Sequence, residues 1–274
     1  EPAASVTDTP TNATLTPGWM QEGTCEWKID AEGNLTVRPL GNGTSGEMHG
    51  SWGGSSGLPW YDQRLSVKTA YFEPGVSIGS CLDLFNGCSN LVSADLSQLD
   101  TSNVTTMGYM FTDCRSLESV NLRGLDTSNV RYLDSMFYYC KSLTSLDLSS
   151  FDTSSVLSMR SLAYGCSNLV SINLSNFNTS SATDMASMFS DCTALASLDV
   201  SSFDTSGVTN MGGMFAYCPS LTSLDVSGFD TSNVTNMGGM FSNCRSLATL
   251  DISGFDTAKV ERFHTMFSNC KALT

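Results

Sequence analysis

The apolar positions of this chain follow one order for most of its length. In "LTSLDVSGF", starting at Leu221, Leu224 and Val226 alternate with Ser223, Asp225 and Ser227. A period of two predicts a short strand with one wet face. The period then changes, because Val234, Met237, Met240, Phe241 and Cys244 are spaced by three and four. That spacing predicts one face of a short helix. Gly238 and Gly239 lie inside it and weaken it toward a partly 3-10 turn. Ahead of it, Asp230, Thr231 and Ser232 offer oxygens to the first free helical N–H groups, so D-T-S reads as a cap.

The same sentence is written repeatedly. "FDTSNVTNMGGMFSNC" from Phe229 restates "FDTSGVTNMGGMFAYC" from Phe203, and Cys88, Cys114, Cys140, Cys166, Cys192, Cys218, Cys244 and Cys270 lie 26 residues apart. Aligned on the cysteine, the units read L-x-S-L-D-L-S-x-F-D-T-S-x-V-x-x-M-x-x-M-F-x-x-C. They begin at Leu91, Leu117, Leu143, Leu169, Leu195, Leu221 and Leu247, and another starts at Lys271 and stops at Thr274, so the chain reads as a fragment. A period without insertions means that coils stack in register, since one added residue would move every later side chain out of its column. The predicted fold is α/β: a leucine-rich-repeat-type parallel solenoid of 26-residue coils, each a short strand plus a short helix, behind an N-terminal cap.

The division expected is 1–18 as a flexible linker or mature N-terminus, 19–80 as the cap and 81–274 as the array. A solenoid end exposes an apolar cross-section. Trp19, Trp27, Trp52 and Trp60 all fall in the first part, where they can cover it. "GNGTSGEMHGSWGGSSG", from Gly41 to Gly57, reads as a loop without the Lys-Ser/Thr ending of a phosphate-binding loop.

The string "LTSLDVSGFDTSNVTNMGGMF" closely resembles the BspA-like leucine-rich repeats of bacterial surface proteins, also described as a repeat of lactobacterial and mycoplasmal surface proteins. The resemblance covers about Cys81 to Thr274. "GTCEWKIDAEGNLTVRP" and "LPWYDQRLSVKTAYFEPGV" resemble the entry segment that precedes such arrays. The resemblance implies a secreted or wall-anchored protein, in some members an adhesin for host proteins.

Composition agrees with that location. With 13 basic and 27 acidic residues the net charge is −14, which repels nucleic-acid phosphates and anionic lipid. No apolar run reaches the length of a membrane span. No signal peptide is visible, and any anchor is expected beyond Thr274. Neither nucleic-acid binding nor membrane insertion is expected.

Of the ten cysteines, the eight periodic ones stack in an inward-facing column. Parallel Cβ vectors disfavour disulfides there, so they read as buried thiols acting as small apolar residues. Cys25 and Cys81 stand outside the column, either as a disulfide tying the cap to the first coil or as free buried thiols. Eleven of the 13 methionines fill the two M positions of the repeats, where flexible thioethers suit a narrow interior.

Two acidic columns recur. Asp95, Asn121, Asp147, Asn173, Asp199, Asp225 and Asp251 lie on the wet strand face. Its uninterrupted stretch, Asp199, Asp225 and Asp251, is a candidate calcium site. The preferred reading is a solvated ladder bonded to nearby serines. The second column, Asp100, Asp126, Asp152, Asp204, Asp230 and Asp256, reads as capping.

Catalysis has little support, since the only histidines are His49 and His264, in different parts of the chain. No enzyme activity and no cofactor are expected. Binding is expected where repeats differ, in the second half of the early coils: Tyr109, Tyr132, Tyr138, Tyr139 and Tyr164, with Arg115, Arg131, Lys141 and Arg160. Tyrosine and arginine are favoured interface anchors. Tyr132, Tyr138, Tyr139 and Tyr164 are expected to share one outer patch. The function expected is a non-catalytic extracellular module for adhesion or for binding a host extracellular or matrix protein. The alternatives are a passive stalk presenting another domain and a glycan-binding module.

Overall fold

The computed structural model describes residues 14–41, 43–50 and 57–274. Most of the stretch expected as a linker, residues 1–13, lies outside the described residues. So do Trp52 and several residues of the Gly41–Gly57 loop.

Three strands open the chain: β1 (Met20–Glu22), β2 (Cys25–Ile29) and β3 (Asn34–Pro39) form an antiparallel meander. β3 then pairs in parallel with β5 (Thr69–Phe72), β5 with β7 (Ser93–Asp95) and β7 with β8 (Ser119–Asn121). One six-stranded sheet therefore runs from the entry segment into the array. Two further parallel pairs join β4 (Gly46–Met48) to β6 (Val76–Ile78) and β9 (Ser145–Asp147) to β10 (Ser171–Asn173). The β9–β10 register sets Ser145 against Ser171, one repeat apart. In β9, Leu146 is buried between exposed Ser145 and Asp147, as alternation requires. Past Asn173 the equivalent segments lose the regular ladder and hold neighbours through single bonds, such as Thr222 N–H to the Ala196 carbonyl at 3.0 Å.

The array is a parallel β-solenoid, but the short helix expected in each coil is absent: no residue from 81 to 274 is helical. An α-helix needs its N–H groups to bond four residues back within the segment. Here half of them leave it. The N–H groups of Met107, Tyr109, Phe111 and Asp113 donate to the carbonyls of Tyr132, Asp134, Met136 and Tyr138 in the next coil, at 2.8–3.0 Å. The intervening Met110, Thr112 and Cys114 donate three residues back, to Met107, Tyr109 and Phe111. Successive three-residue turns reproduce the three-and-four spacing of a helix while the coil bonds sideways.

Such a path needs a left-handed backbone at two positions per coil, as at Tyr109 (φ 56°) and Asp113 (φ 58°). In "MGGMF" the second glycine occupies the first of these positions, at Gly213 and Gly239, both with φ 64°. The glycines serve the turn and do not mark a weakened helix.

Stacked columns fill the interior. Phe85, Phe111 and Phe137 stack at centroid distances of 5.3 and 5.4 Å, and Phe189, Phe215, Phe241 and Phe267 continue the column at 5.7–6.1 Å. Ala163 interrupts it. At the entry end, buried Trp27 packs edge-on against Trp60, which stacks on Phe85 and donates its indole N–H to the Leu84 carbonyl at 3.1 Å. These rings place apolar surface over the first coil. Trp19 lies further out, with the Arg38 guanidinium 3.9 Å from its ring.

Candidate functional site

All ten cysteines are free, and nine are buried. Each later thiol of the column donates to the carbonyl 29 residues back, Cys114 to Phe85, Cys140 to Phe111 and Cys166 to Phe137, all at 3.1 Å. The thiols therefore staple adjacent coils as weak donors. Burial pushes Cys81 and Cys88 up to about 12, and pushes Cys114, Cys140, Cys166, Cys192 and Cys218 well above the ordinary thiol value. A protonated, buried thiol is a poor nucleophile. Cys25 and Cys81 are not bonded to each other.

The D-T-S string caps no helix, because there is none. Asp230 Oδ1 accepts the Ser232 N–H at 2.9 Å, closing a side-chain turn. Thr231 points inward, 1% exposed, and donates its hydroxyl to the Asp256 carbonyl of the next coil at 3.0 Å. Thr101, Thr127, Thr153, Thr179 and Thr205 repeat this bond at 2.8–3.1 Å. The threonine column is thus a second inter-coil staple, unnoticed in the sequence because a cap accounts for the same residue types.

The strand-face carboxylates make similar turns. Asp199, Asp225 and Asp251 accept the N–H groups of Ser201, Ser227 and Ser253 at 2.9–3.0 Å. Their side-chain and backbone bonds to these serines hold all three carboxyls below the usual range. They border an open depression of about 540 Å³ shared with Ser197, Ser223 and Thr249. Among the described residues, no group of three or more His, Cys, Asp or Glu side chains is placed to hold a metal ion.

The aromatic departures are brought together only in part. Tyr138 stacks on Tyr164 at 4.8 Å and meets Tyr139 edge-on at 4.6 Å, while Tyr139 meets Tyr164 edge-on at 5.5 Å. The Lys141 ammonium stands 5.1 Å from the Tyr139 ring centre. All three rings are half-buried. Burial, reinforced by the neighbouring phenols, pushes Tyr164 up to about 12, and burial likewise raises Tyr138. One departure in the next coil makes room for the cluster: Gly165 stands at the repeat position of Tyr139, and the Tyr139 ring lies over it. The sequence signal for this was present as a glycine where the preceding coil has a tyrosine.

Tyr109 and Tyr132 stand apart from the cluster, at 45% and 46% exposure, and no ring contact joins either to it among the described residues. Tyr132 belongs instead to a ladder of single parallel bridges that runs from Thr106 through Tyr132, Ser158, Asp184, Asn210 and Asn236 to Arg262. Arg131 and Arg160 are exposed, and Arg115 is paired with Asp113 at 2.9 Å.

No curated protein matches this chain. Among solved structures it is similar to a leucine-rich repeat protein from Eubacterium ventriosum at 18% identity, covering 92% of this chain and 82% of that one, with a TM-score of 0.40. A leucine-rich repeat protein of T. pallidum is 19% identical, covering 92% and 88%, with a TM-score of 0.37. A leucine-rich cell surface protein from Faecalibacterium prausnitzii is 16% identical, covering 94% of each chain, with a TM-score of 0.35. The family described as "Mycoplasma protein of unknown function, DUF285" matches residues 77–171, 143–224 and 196–274, three overlapping stretches that together span the repeats. The chain belongs to this DUF285 family.

Proposed function

We propose that this chain is a non-catalytic module of a bacterial surface protein, and that it binds a host extracellular or matrix protein through the Tyr138, Tyr139 and Tyr164 cluster. The observation that carries the proposal is the cluster itself: three contiguous, half-buried phenols beside the Lys141 ammonium, on an array whose other coils repeat. Rigid aromatic surface with a polar tip is what interface anchors use. The surface location rests on the resemblance of the repeats to bacterial surface proteins and on the acidic composition. The uniform remainder of the array favours a second reading, a stalk that holds another domain away from the cell.

Immobilised extracellular matrix proteins, probed with the soluble chain, separate the two. Binding is expected, and Tyr138→Ser with Tyr139→Ser should weaken it by about 2 kcal/mol or more, the scale of an interface hot spot. Undiminished binding by a folded double variant would remove the cluster as the anchor. No binding to any matrix protein would favour the stalk.

A further inference from the structure

A groove of about 440 Å³ lies along the ladder side of the later coils. Its floor is nearly bare backbone at Gly212, Gly213 and Gly238, with the carboxamides of Asn210 and Asn236 beside it. Both amides are pre-ordered. Asn236 donates to Asn210 at 2.9 Å and accepts the Gly238 N–H at 3.0 Å, and Asn210 donates to Asp184 at 3.2 Å. The glycines leave room beside the carboxamides. A Cβ on Gly212 would stand 2.5 Å from Asn236 Nδ2, and one on Gly238 would stand 3.1 Å from the His264 ring.

A guanidinium stands at each of the two ends. Arg160 occupies the position of Gly212 and Gly238 at one end, and Arg262 and His264 close the other. Arg160 and His264 are four coils apart, roughly 19 Å at a spacing of about 4.8 Å per coil. All three are exposed, and among the described residues neither arginine makes an ion pair. The carboxylates of the adjoining columns keep their charge but are oriented by neutral donors: Asp184 accepts from the Ala186 N–H and from Asn210, and Asp134 accepts from the Ser158 hydroxyl. On a chain of net charge −14 with only 13 basic residues, unpaired cations facing one groove mark it for an anion.

We propose that this groove binds an extended polyanionic glycan, carboxylated or sulfated, lying along the solenoid axis with its charges on Arg160 at one end and Arg262 at the other. A peptide strand would need free backbone partners, and the floor has none to offer. The N–H groups of Met211, Gly213 and Gly239 are bonded to the carbonyls of Asn236, Gly238 and His264 at 2.8–3.0 Å. Nor does the groove hold an apolar pocket for side-chain anchors, Ala186 being its one hydrophobic side chain. What remains is a flat polar floor for hydroxyl groups and charged ends for acidic ones. This site shares no residue with the tyrosine cluster.

The test is binding of hyaluronan and of heparin oligosaccharides to the whole chain at low salt, with neutral dextran and poly-glutamate as comparisons. At least one acidic glycan should bind and dextran should not, the carboxylated and sulfated probes distinguishing the two sources of charge. Affinity should fall as salt rises, as for any exposed ionic contact. Arg160→Gln with Arg262→Gln should weaken it at least tenfold without lowering the melting temperature, while Tyr138→Ser with Tyr139→Ser leaves it unchanged. Failure of both glycans to bind, or equal binding by the arginine variant, overturns the proposal. Equal or tighter binding of poly-glutamate overturns it in favour of an acidic peptide.

Discussion

The ring of Tyr139 lies on the backbone of Gly165, its counterpart one coil later: a Cβ built on Gly165 would stand 2.3 Å from Tyr139 Cδ1 and 2.5 Å from Cε1. Gly165 also has φ 72°, in the left-handed region. Gly165→Ala should therefore both strain the backbone and push the ring out of the cluster, lowering the unfolding free energy by about 1–3 kcal/mol. Urea denaturation measures this. An unchanged midpoint would show that the ring swings aside freely and that the cluster is not rigid.

The same cluster should be visible in an alkaline titration. A raised tyrosine pKa means that the folded protein favours the neutral phenol, so the stability it contributes is present below the unfolded value of about 10. It is lost as pH rises toward the Tyr164 value of about 12. Phenolate absorbance should thus show a late-titrating class, which Tyr164→Phe diminishes. Titration of all the tyrosines together near pH 10 would contradict the packing of the cluster.

The thiol column predicts a sharp contrast between native and denatured protein. In the native state a thiol reagent should reach Cys270, which is only partly buried, while the buried thiols stay silent. After denaturation without reductant all ten should react. Two or fewer reactive thiols would mean that the column is cross-linked.

The threonine column can be tested by one substitution of matched shape. Thr205 donates to the Asp230 carbonyl at 2.9 Å from a site 1% exposed. Thr205→Val keeps the volume and removes the donor, so it should destabilise the array by about 1 kcal/mol, the net value of a hydrogen bond. Guanidinium unfolding of the pure variant gives the number. A neutral effect would show that the inter-coil bond adds nothing beyond the backbone ladder.

Taken alone, the sequence determined the period, the register and the inward columns. A 26-residue repeat without insertions allows only stacked coils, and Leu, Val, Met, Phe and Cys in fixed columns define the buried side. Trp27 and Trp60 were also legible as cover for the first coil. The path of the second half of each coil was not legible. Val234, Met237, Met240 and Phe241 fall on one side equally well in a helix and in consecutive three-residue turns, so periodicity could not separate the two. The tertiary structure decided it through the stacked neighbour, which accepts the N–H groups of Met237, Gly239 and Phe241 at its Arg262, His264 and Met266 carbonyls. A helix would have spent those donors on its own carbonyls four residues back and left this half of each coil without its lateral bonds. Stacking also drew Tyr138, Tyr139 and Tyr164 into one cluster, left Tyr132 in a different column and set Arg160 across a groove from Arg262. Neighbours 26 and more residues apart meet only once the coils are wound, and the direction of winding was not written in any single repeat.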